Sequence, residues 1–152
     1  VNLYARTVLT ADGMWFLGVE GNYGLDAAID LDEKVWERGG AAEARRLKNM
    51  FSLGEGLQSI IDALELSHWV GRLLKHTYPE RSEKRVVMRI TECPSQMARV
   101  RDGRGEFPCK TVETKYFTNF AKVIDPKVKV TCLMCPPDHH PSDVWCEWEF
   151  KL

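Results

Sequence analysis

The residues best able to do chemistry are five cysteines, all in the second half of a 152-residue chain: Cys93, Cys109, Cys132, Cys135 and Cys146. A thiolate can bind zinc, copper(I) or an iron–sulfur centre, or it can act as a nucleophile. Because five is an odd number, internal disulfides cannot pair all of them. Buried cysteines often pack as small hydrophobes, and inert packing is the alternative for each of the five. Together they form a candidate metal-ligand set for zinc or an iron–sulfur centre.

Strand and helix periodicity predict that several of these thiols face one interior. Cys132 and Cys146 fall on the apolar side of two alternating strand patterns, and Cys109 lies one helical turn from Glu113 on the apolar face of a helix. Glu92 is expected to end an inward-facing strand row. An isolated carboxylate is expensive to bury, so Glu113 needs either a hydrogen-bond partner or a functional role with a raised pKa.

The segment Cys132-Leu133-Met134-Cys135 has the spacing of zinc knuckles and redox pairs, but the second such pair that a zinc ribbon needs is absent. The two thiols have opposite strand parity, so they can bind one ion only if the chain turns at Pro136-Pro137. His139 and His140 in the loop that follows are predicted to be exposed to solvent.

The first part of the chain is predicted to be helical. Apolar residues recur at helical spacing from Ala27 to Trp36 and from Leu57 to Leu64. The segment Glu20–Gly24 predicts a helix end and a turn. Gly39-Gly40 and Gly56 predict further breaks between helices.

The second part is predicted to contain two hairpins. Residues 68–78 fit either a helix or a strand, and Pro79–Glu83 predicts a turn before the valine-rich segment 85–92. Residues 127–135 and 143–151 are rich in strand-forming residues and flank a loop with three prolines. We expect this pair to form the second hairpin.

One long helix is predicted between the hairpins. Its apolar face runs from Cys109 to Ile124 at steps of three and four residues. Pro108 suits a first helical turn, and Asp125-Pro126 stops the helix because the residue before a proline disfavours the α conformation.

Together these elements predict one α+β domain spanning residues 1–152. A helical part, 1–66, precedes a sheet-plus-helix part, 67–152, and the helices pack on an antiparallel sheet of about four strands. With 44% hydrophobic and 28% charged residues, the chain is not of the disordered class.

Charge and hydropathy argue against two classes of partner. The formal net charge is −1 and no long basic run occurs, so we expect no nucleic-acid binding. The sequence lacks both an apolar run of about 20 residues and the pattern of a secretory leader, so we expect no membrane association and a cytoplasmic location.

Five motifs carry a resemblance to known proteins: Cys93-Pro94-Ser95-Gln96, Gly105–Lys110, Asp125-Pro126, Cys132–Asp138 and Trp145–Phe150. They resemble an uncharacterised family of small microbial cytosolic proteins. That family is distantly similar to aminothiazoline carboxylate hydrolases and to small-molecule-binding domains of the vinyl-reductase type. The resemblance implies helices that cover an antiparallel sheet around a pocket, with the five cysteines and Glu113 as matching positions, and it brings no mechanism.

Three functions stay open at this point, and the sequence does not decide whether the protein is an enzyme. The first is a binding domain whose cysteine-lined interior holds a small ligand, a metal ion or an iron–sulfur centre. The second is a hydrolase of a cyclic C–N or C–S substrate, with Cys109 or Cys146 as nucleophile and Glu113 as general acid/base. The third is a structural homo-oligomer with inert cysteines, in which an exposed Trp145 could anchor a homodimer.

Overall fold

The computed structural model describes residues 2–152 and shows six helices packed with a four-stranded antiparallel sheet, which confirms the α+β fold class. In chain order the elements are α1 (Asn2–Tyr23), α2 (Leu25–Phe51), α3 (Leu57–Leu66), α4 (Val70–Leu73), β1 (Lys75–Arg81), β2 (Arg85–Glu92), α5 (Pro94–Arg101), α6 (Lys110–Ile124), β3 (Lys129–Met134) and β4 (Cys146–Lys151).

The sheet has the strand order β1-β2-β4-β3, so the last strand of the chain, β4, lies between β2 and β3. Both predicted hairpins are present, because β1 pairs with β2 and β3 pairs with β4. The sequence predicts Pro79 in the turn, but Pro79 lies within β1. Proline is tolerated there because β1 is an edge strand whose register shifts between Thr77 and Glu80.

Gly39-Gly40 does not interrupt a helix, in contrast to the prediction, because α2 continues through both residues. The reason is a close approach between α2 and α6. A Cβ atom on Gly40 would lie 2.7 Å from the carbonyl oxygen of Tyr116, so only glycine fits at this contact. The true breaks lie at Gly24 and Gly56, where φ is 88° and 93°.

The helix α6 matches the predicted long helix, with Cys109 at its N-cap and Asp125 at its C-cap. The helix α5 was not predicted. It begins at Pro94 directly after β2, in a position where proline is favoured. Glu92 is exposed and lies 2.8 Å from the Lys75 ammonium, so the prediction that it faces the interior is wrong.

The core lies between one face of the sheet and the helices α2, α3 and α6. Its largest fully buried side chains include Trp148, Phe117 and Phe120. The other face of the sheet carries ion pairs between β2 and β4, such as Arg85 with Glu149. Throughout residues 2–152, the helices fall short of the length and apolar character needed to cross a membrane.

Candidate functional site

A cavity of about 50 Å³ lies where α1, α2, α5 and α6 meet the segment around α4. Its walls are mainly apolar and aromatic, with a smaller number of acidic and other polar groups. The lining side chains are Val8, Leu9, Asp12, Asp32, Trp36, His68, Trp69, Leu73, Cys93, Ser95, Gln96, Phe107, Cys109, Val112, Glu113 and Tyr116.

Glu113 provides the most unusual polar group of the cavity. Its Oε1 accepts a hydrogen bond from Trp69 Nε1 at 3.1 Å, whereas its Oε2 is buried with no hydrogen-bond partner. Burial raises the pKa of Glu113 to about 8, and the nearby carboxyls of Asp32 and Asp12 act in the same direction. At neutral pH this group is therefore mostly a neutral carboxylic acid.

Asp12 on α1 and Asp32 on α2 also line the cavity, and sequence reasoning missed both. The pKa of Asp32 is raised to about 7, mainly by burial and also by repulsion from the Asp12 carboxyl. The pKa of Asp12 is also raised, again mainly by burial. Acidic residues on long helices usually mark a solvated face, so the sequence contained no signal for their position.

A hydrogen-bonded network supports one wall of the cavity. Glu43 Oε1 accepts from the His68 backbone N–H and lies 2.7 Å from His68 Nδ1, while its Oε2 accepts from the Tyr116 hydroxyl at 2.9 Å. Trp36 stacks on the His68 ring with centroids 5.6 Å apart. These contacts hold the aromatic rings of Trp36 and Tyr116 in place.

The cysteines form a second group, next to the cavity and centred on Cys135. The Sγ atoms of Cys109 and Cys135 lie 3.6 Å apart, and the thiols of Cys132 and Cys146 also contact Cys135. Cys93 lies beside Cys109 and Cys146, and both Cys93 and Cys109 line the cavity. All five cysteines are free, and all are buried except the half-buried Cys132.

These thiols differ in acidity. Burial raises the pKa of Cys93, and contact with neighbouring thiols, together with burial, raises that of Cys135. The pKa of Cys132 is lowered by a hydrogen bond from Cys135 and by the Lys110 ammonium. Thiolate character therefore favours Cys132, which was not predicted to be a nucleophile.

A register shift in β3 explains how Cys132 and Cys135 meet despite their opposite parity. The pairing with β4 shifts between Cys132 and Met134, and the strand ends at Met134, so Cys135 is free to turn inward. As the side chains stand, no group of three or more His, Cys, Asp or Glu residues in the described range 2–152 could hold a metal ion.

Of the four residues predicted to share one interior, Cys109, Cys132 and Cys146 lie around Cys135, whereas Glu113 lines the cavity with Cys109. Their roles stay predictions. Trp145 was predicted to be exposed, yet it is partly buried against the core. His140 was expected to face solvent, but it packs on Trp145 with ring centroids 5.4 Å apart and only 10% of its side chain is exposed. The homodimer stays a prediction.

Comparison with known proteins identifies the family. Residues 1–152 match a family described as "Family of unknown function (DUF6125)". The chain belongs to this family. No curated protein matches the sequence of this DUF6125 chain.

Two solved structures resemble the DUF6125 chain in fold. The phenol-responsive sensory domain of the transcription activator PoxR, in a crystal structure with phenol, is 17% identical, with a TM-score of 0.60 over 93% of this chain and 72% of that one. Trafficking protein particle complex subunit 3 from Naegleria fowleri, covalently bound to palmitic acid, is 11% identical. Its TM-score is 0.63 over 100% of this chain and 96% of that one. Neither is an aminothiazoline carboxylate hydrolase, the enzyme class that the sequence resemblance had suggested.

Proposed function

We propose that this chain is a small-molecule-binding domain whose ligand occupies the cavity between α1, α2, α5 and α6. The observation that carries the proposal is the unpartnered, buried Oε2 of Glu113 in a cavity walled by Trp36, Trp69 and Tyr116. Ligand sites typically combine apolar walls with a few convergent polar groups and perturbed pKa values.

The two proteins of similar fold support a binding role. One is a phenol-responsive sensory domain seen with phenol, and the other is seen with covalently bound palmitic acid. Both therefore hold a small organic molecule. At 17% and 11% identity the likeness concerns the fold, so the ligand of this chain must be inferred from its own side chains.

The size of the cavity limits the ligand. A volume of about 50 Å³ has room for roughly three to five water-sized groups, given the space that one buried water needs. The ligand, or the part of it that enters between the helices, is therefore compact.

Nuclear magnetic resonance of 15N-labelled protein tests the proposal through the two indole N–H signals in the cavity wall, Trp36 and Trp69. The compounds are phenol, isopropanol, isopropylamine and acetate, each titrated separately. Because the Trp69 N–H donates to Glu113, a compound that reaches the carboxyl must shift the Trp69 signal.

Two valine substitutions separate cavity binding from surface binding. Val8 lines the cavity and is 46% exposed, so V8W should block the cavity and abolish the shifts without unfolding the protein. Val35 is 55% exposed on α2 and does not line this cavity, so V35W should bind as the wild type does. If none of the four compounds shifts either indole, or if V8W binds as well as V35W, the proposal is wrong.

Metal binding by the thiols is a second candidate, favoured by one distance. When four thiolates bind zinc at about 2.3 Å, their sulfur atoms lie about 3.8 Å from one another. The Sγ atoms of Cys109 and Cys135 are 3.6 Å apart, which is close to that spacing. Cys132 and Cys146 also lie next to Cys135. Because the side chains as they stand form no ligand set, coordination of zinc or of an iron–sulfur centre would require them to adjust.

Elemental analysis and an absorption spectrum of protein purified without oxygen test this candidate. About one equivalent of zinc, or a visible iron–sulfur band, is expected in the wild type, and C135S should lose it. Cys93 was also a predicted ligand, but it borders the cavity, so C93S is the matched control that should keep the metal. Metal below about one-tenth of an equivalent, with no visible band, would exclude this candidate.

The hydrolase lacks a comparable supporting observation. A cysteine nucleophile needs thiolate character, and the thiol with a lowered pKa is Cys132. Cys132 lies outside the cavity lining. Of the two predicted nucleophiles, Cys109 is part of the lining and Cys146 is not. Glu113 could act as a general acid, but an acid alone does not make a hydrolase, so we do not propose this function.

A further inference from the structure

The cavity carries three acidic side chains and no lysine or arginine among the residues that line it. Asp12, Asp32 and Glu113 come from the three different helices α1, α2 and α6. His68 is the remaining lining residue that could be positively charged, and its Nδ1 is already paired with Glu43 Oε1 at 2.7 Å. The cavity therefore has unbalanced acidic character.

Helix capping does not account for these acids, although the Trp36 indole is a neighbour of both Asp12 and Asp32. Asp12 and Asp32 lie well inside α1 and α2, away from the helix starts where a carboxylate would stabilise the helix dipole. Glu113 Oε2 is buried without any partner. A buried polar group without a partner costs free energy, and mutual repulsion among carboxyls adds to that cost.

The pKa values agree with this description. Burial raises the pKa of Glu113 to about 8 and that of Asp32 to about 7, and repulsion among the carboxyls contributes in both cases. A cation bound among the three carboxyls would attract each of them, which offsets their mutual repulsion, and it would give Glu113 Oε2 a partner.

The aromatic walls suit the same kind of ligand. Trp36, Trp69, Phe107 and Tyr116 all line the cavity. The negative face of an aromatic ring attracts a cation, most strongly for tryptophan and especially where water is excluded. Aromatic walls next to carboxyls are therefore suited to an organic ammonium group.

We propose that the ligand of this cavity is a small organic cation, an amine or ammonium group held by Asp12, Asp32 and Glu113 against the surrounding indole rings. The inference rests on the proposed small-molecule-binding function. It adds the charge of the ligand, which the fold relatives do not indicate.

Isopropylamine and isopropanol test the inference, because they have the same shape and differ in charge at neutral pH. Both are titrated into the full chain at pH 7, with the Trp36 and Trp69 indole signals as the readout. The amine should bind about tenfold more tightly or better, since charge-assisted hydrogen bonds are stronger than neutral ones.

Carboxyl-to-amide variants locate the preference. E113Q and D32N should each reduce amine affinity by about tenfold and leave alcohol affinity within about twofold, because the amide keeps the size of the side chain but cannot lose a proton to become the carboxylate that a bound ammonium group would stabilise. Asp26 lies exposed on the same helix as Asp32, outside the cavity, so D26N is the matched control and should bind as the wild type does.

The outcomes separate the two proposals. If isopropanol binds the cavity as tightly as isopropylamine, the ligand is not a cation, although the small-molecule-binding function stands. A preference for the amine that survives in both E113Q and D32N would also overturn the cation inference. If no compound of the test set binds at all, the proposed function itself fails.

Discussion

Replacing Glu113 by glutamine tests whether the folded protein keeps this side chain as a neutral acid. Its pKa rises from an ordinary 4.5 to about 8 on folding, mainly because of burial. The unfolded chain therefore releases the proton at lower pH than the folded chain does. The neutral carboxyl consequently costs no stability below pH 4.5, and the wild type loses stability as the pH rises from 4.5 to 8.

The magnitude follows from the size of the pKa difference. At about 1.4 kcal/mol per pKa unit, the loss is about 3 kcal/mol at pH 7, about 4 kcal/mol at pH 8 and about 5 kcal/mol at pH 9 and above. Glutamine does not titrate, and its Oε1 can still accept the hydrogen bond from Trp69 Nε1. E113Q should therefore exceed the stability of the wild type by less than about 1 kcal/mol at pH 5 and by the amounts above at higher pH.

Urea unfolding followed by tryptophan fluorescence at pH 5, 7 and 9 measures the difference. Glu83 is exposed in the turn between β1 and β2, so E83Q is the control and should differ little from the wild type at any pH. If the curves for E113Q and wild type stay parallel from pH 5 to 9, Glu113 is not buried as a neutral acid. A loss of about 3 kcal/mol at every pH would instead indicate a buried charge pair broken by the substitution.

Two further predictions concern packing and thiol chemistry. G40A should cost about 1–3 kcal/mol in urea unfolding, because its Cβ would lie 2.7 Å from the Tyr116 carbonyl oxygen, whereas G18A, on open space in α1, should stabilise by about 1 kcal/mol. Equal effects for the two variants would contradict the close contact. Iodoacetamide should alkylate Cys132 before the four buried thiols, as peptide mass mapping would show, because Cys132 is half-buried and has a lowered pKa. K110Q should slow this reaction, and first labelling of any other cysteine would refute the assignment.

Local sequence periodicity was sufficient to predict most elements of the second half. The helix α6 was predicted because its apolar positions recur every three or four residues and Asp125-Pro126 ends it. The inward direction of Cys146 followed from alternation in β4, whose residues alternate between buried and partly exposed. These features depend on neighbours a few residues apart, so the sequence alone contains them.

The exceptions arose where a distant element changed the local preference. The two glycines at Gly39-Gly40 predict a break, but Gly40 is a helical contact with Tyr116 on α6, which is far away in the sequence. Pro79 predicts a turn, but it is accepted in β1 because this edge strand pairs on one side only and its register shifts there, so the N–H that proline lacks is not needed. Glu92 follows the inward parity of β2, yet it lies at the strand end, where it reaches Lys75 and solvent.

Some features of the candidate site also follow from local sequence, whereas others depend on packing between distant elements. The sequence by itself determined that Glu113 and Cys109 share the apolar face of one helix, because one helical turn separates them. Only the tertiary structure decided that Asp12, Asp32, Trp36 and Glu113 surround one cavity, because packing of α1 and α2 against α6 sets the distance between them. Periodicity specifies which side of an element a residue takes, whereas packing between elements specifies which residues meet across the space they enclose.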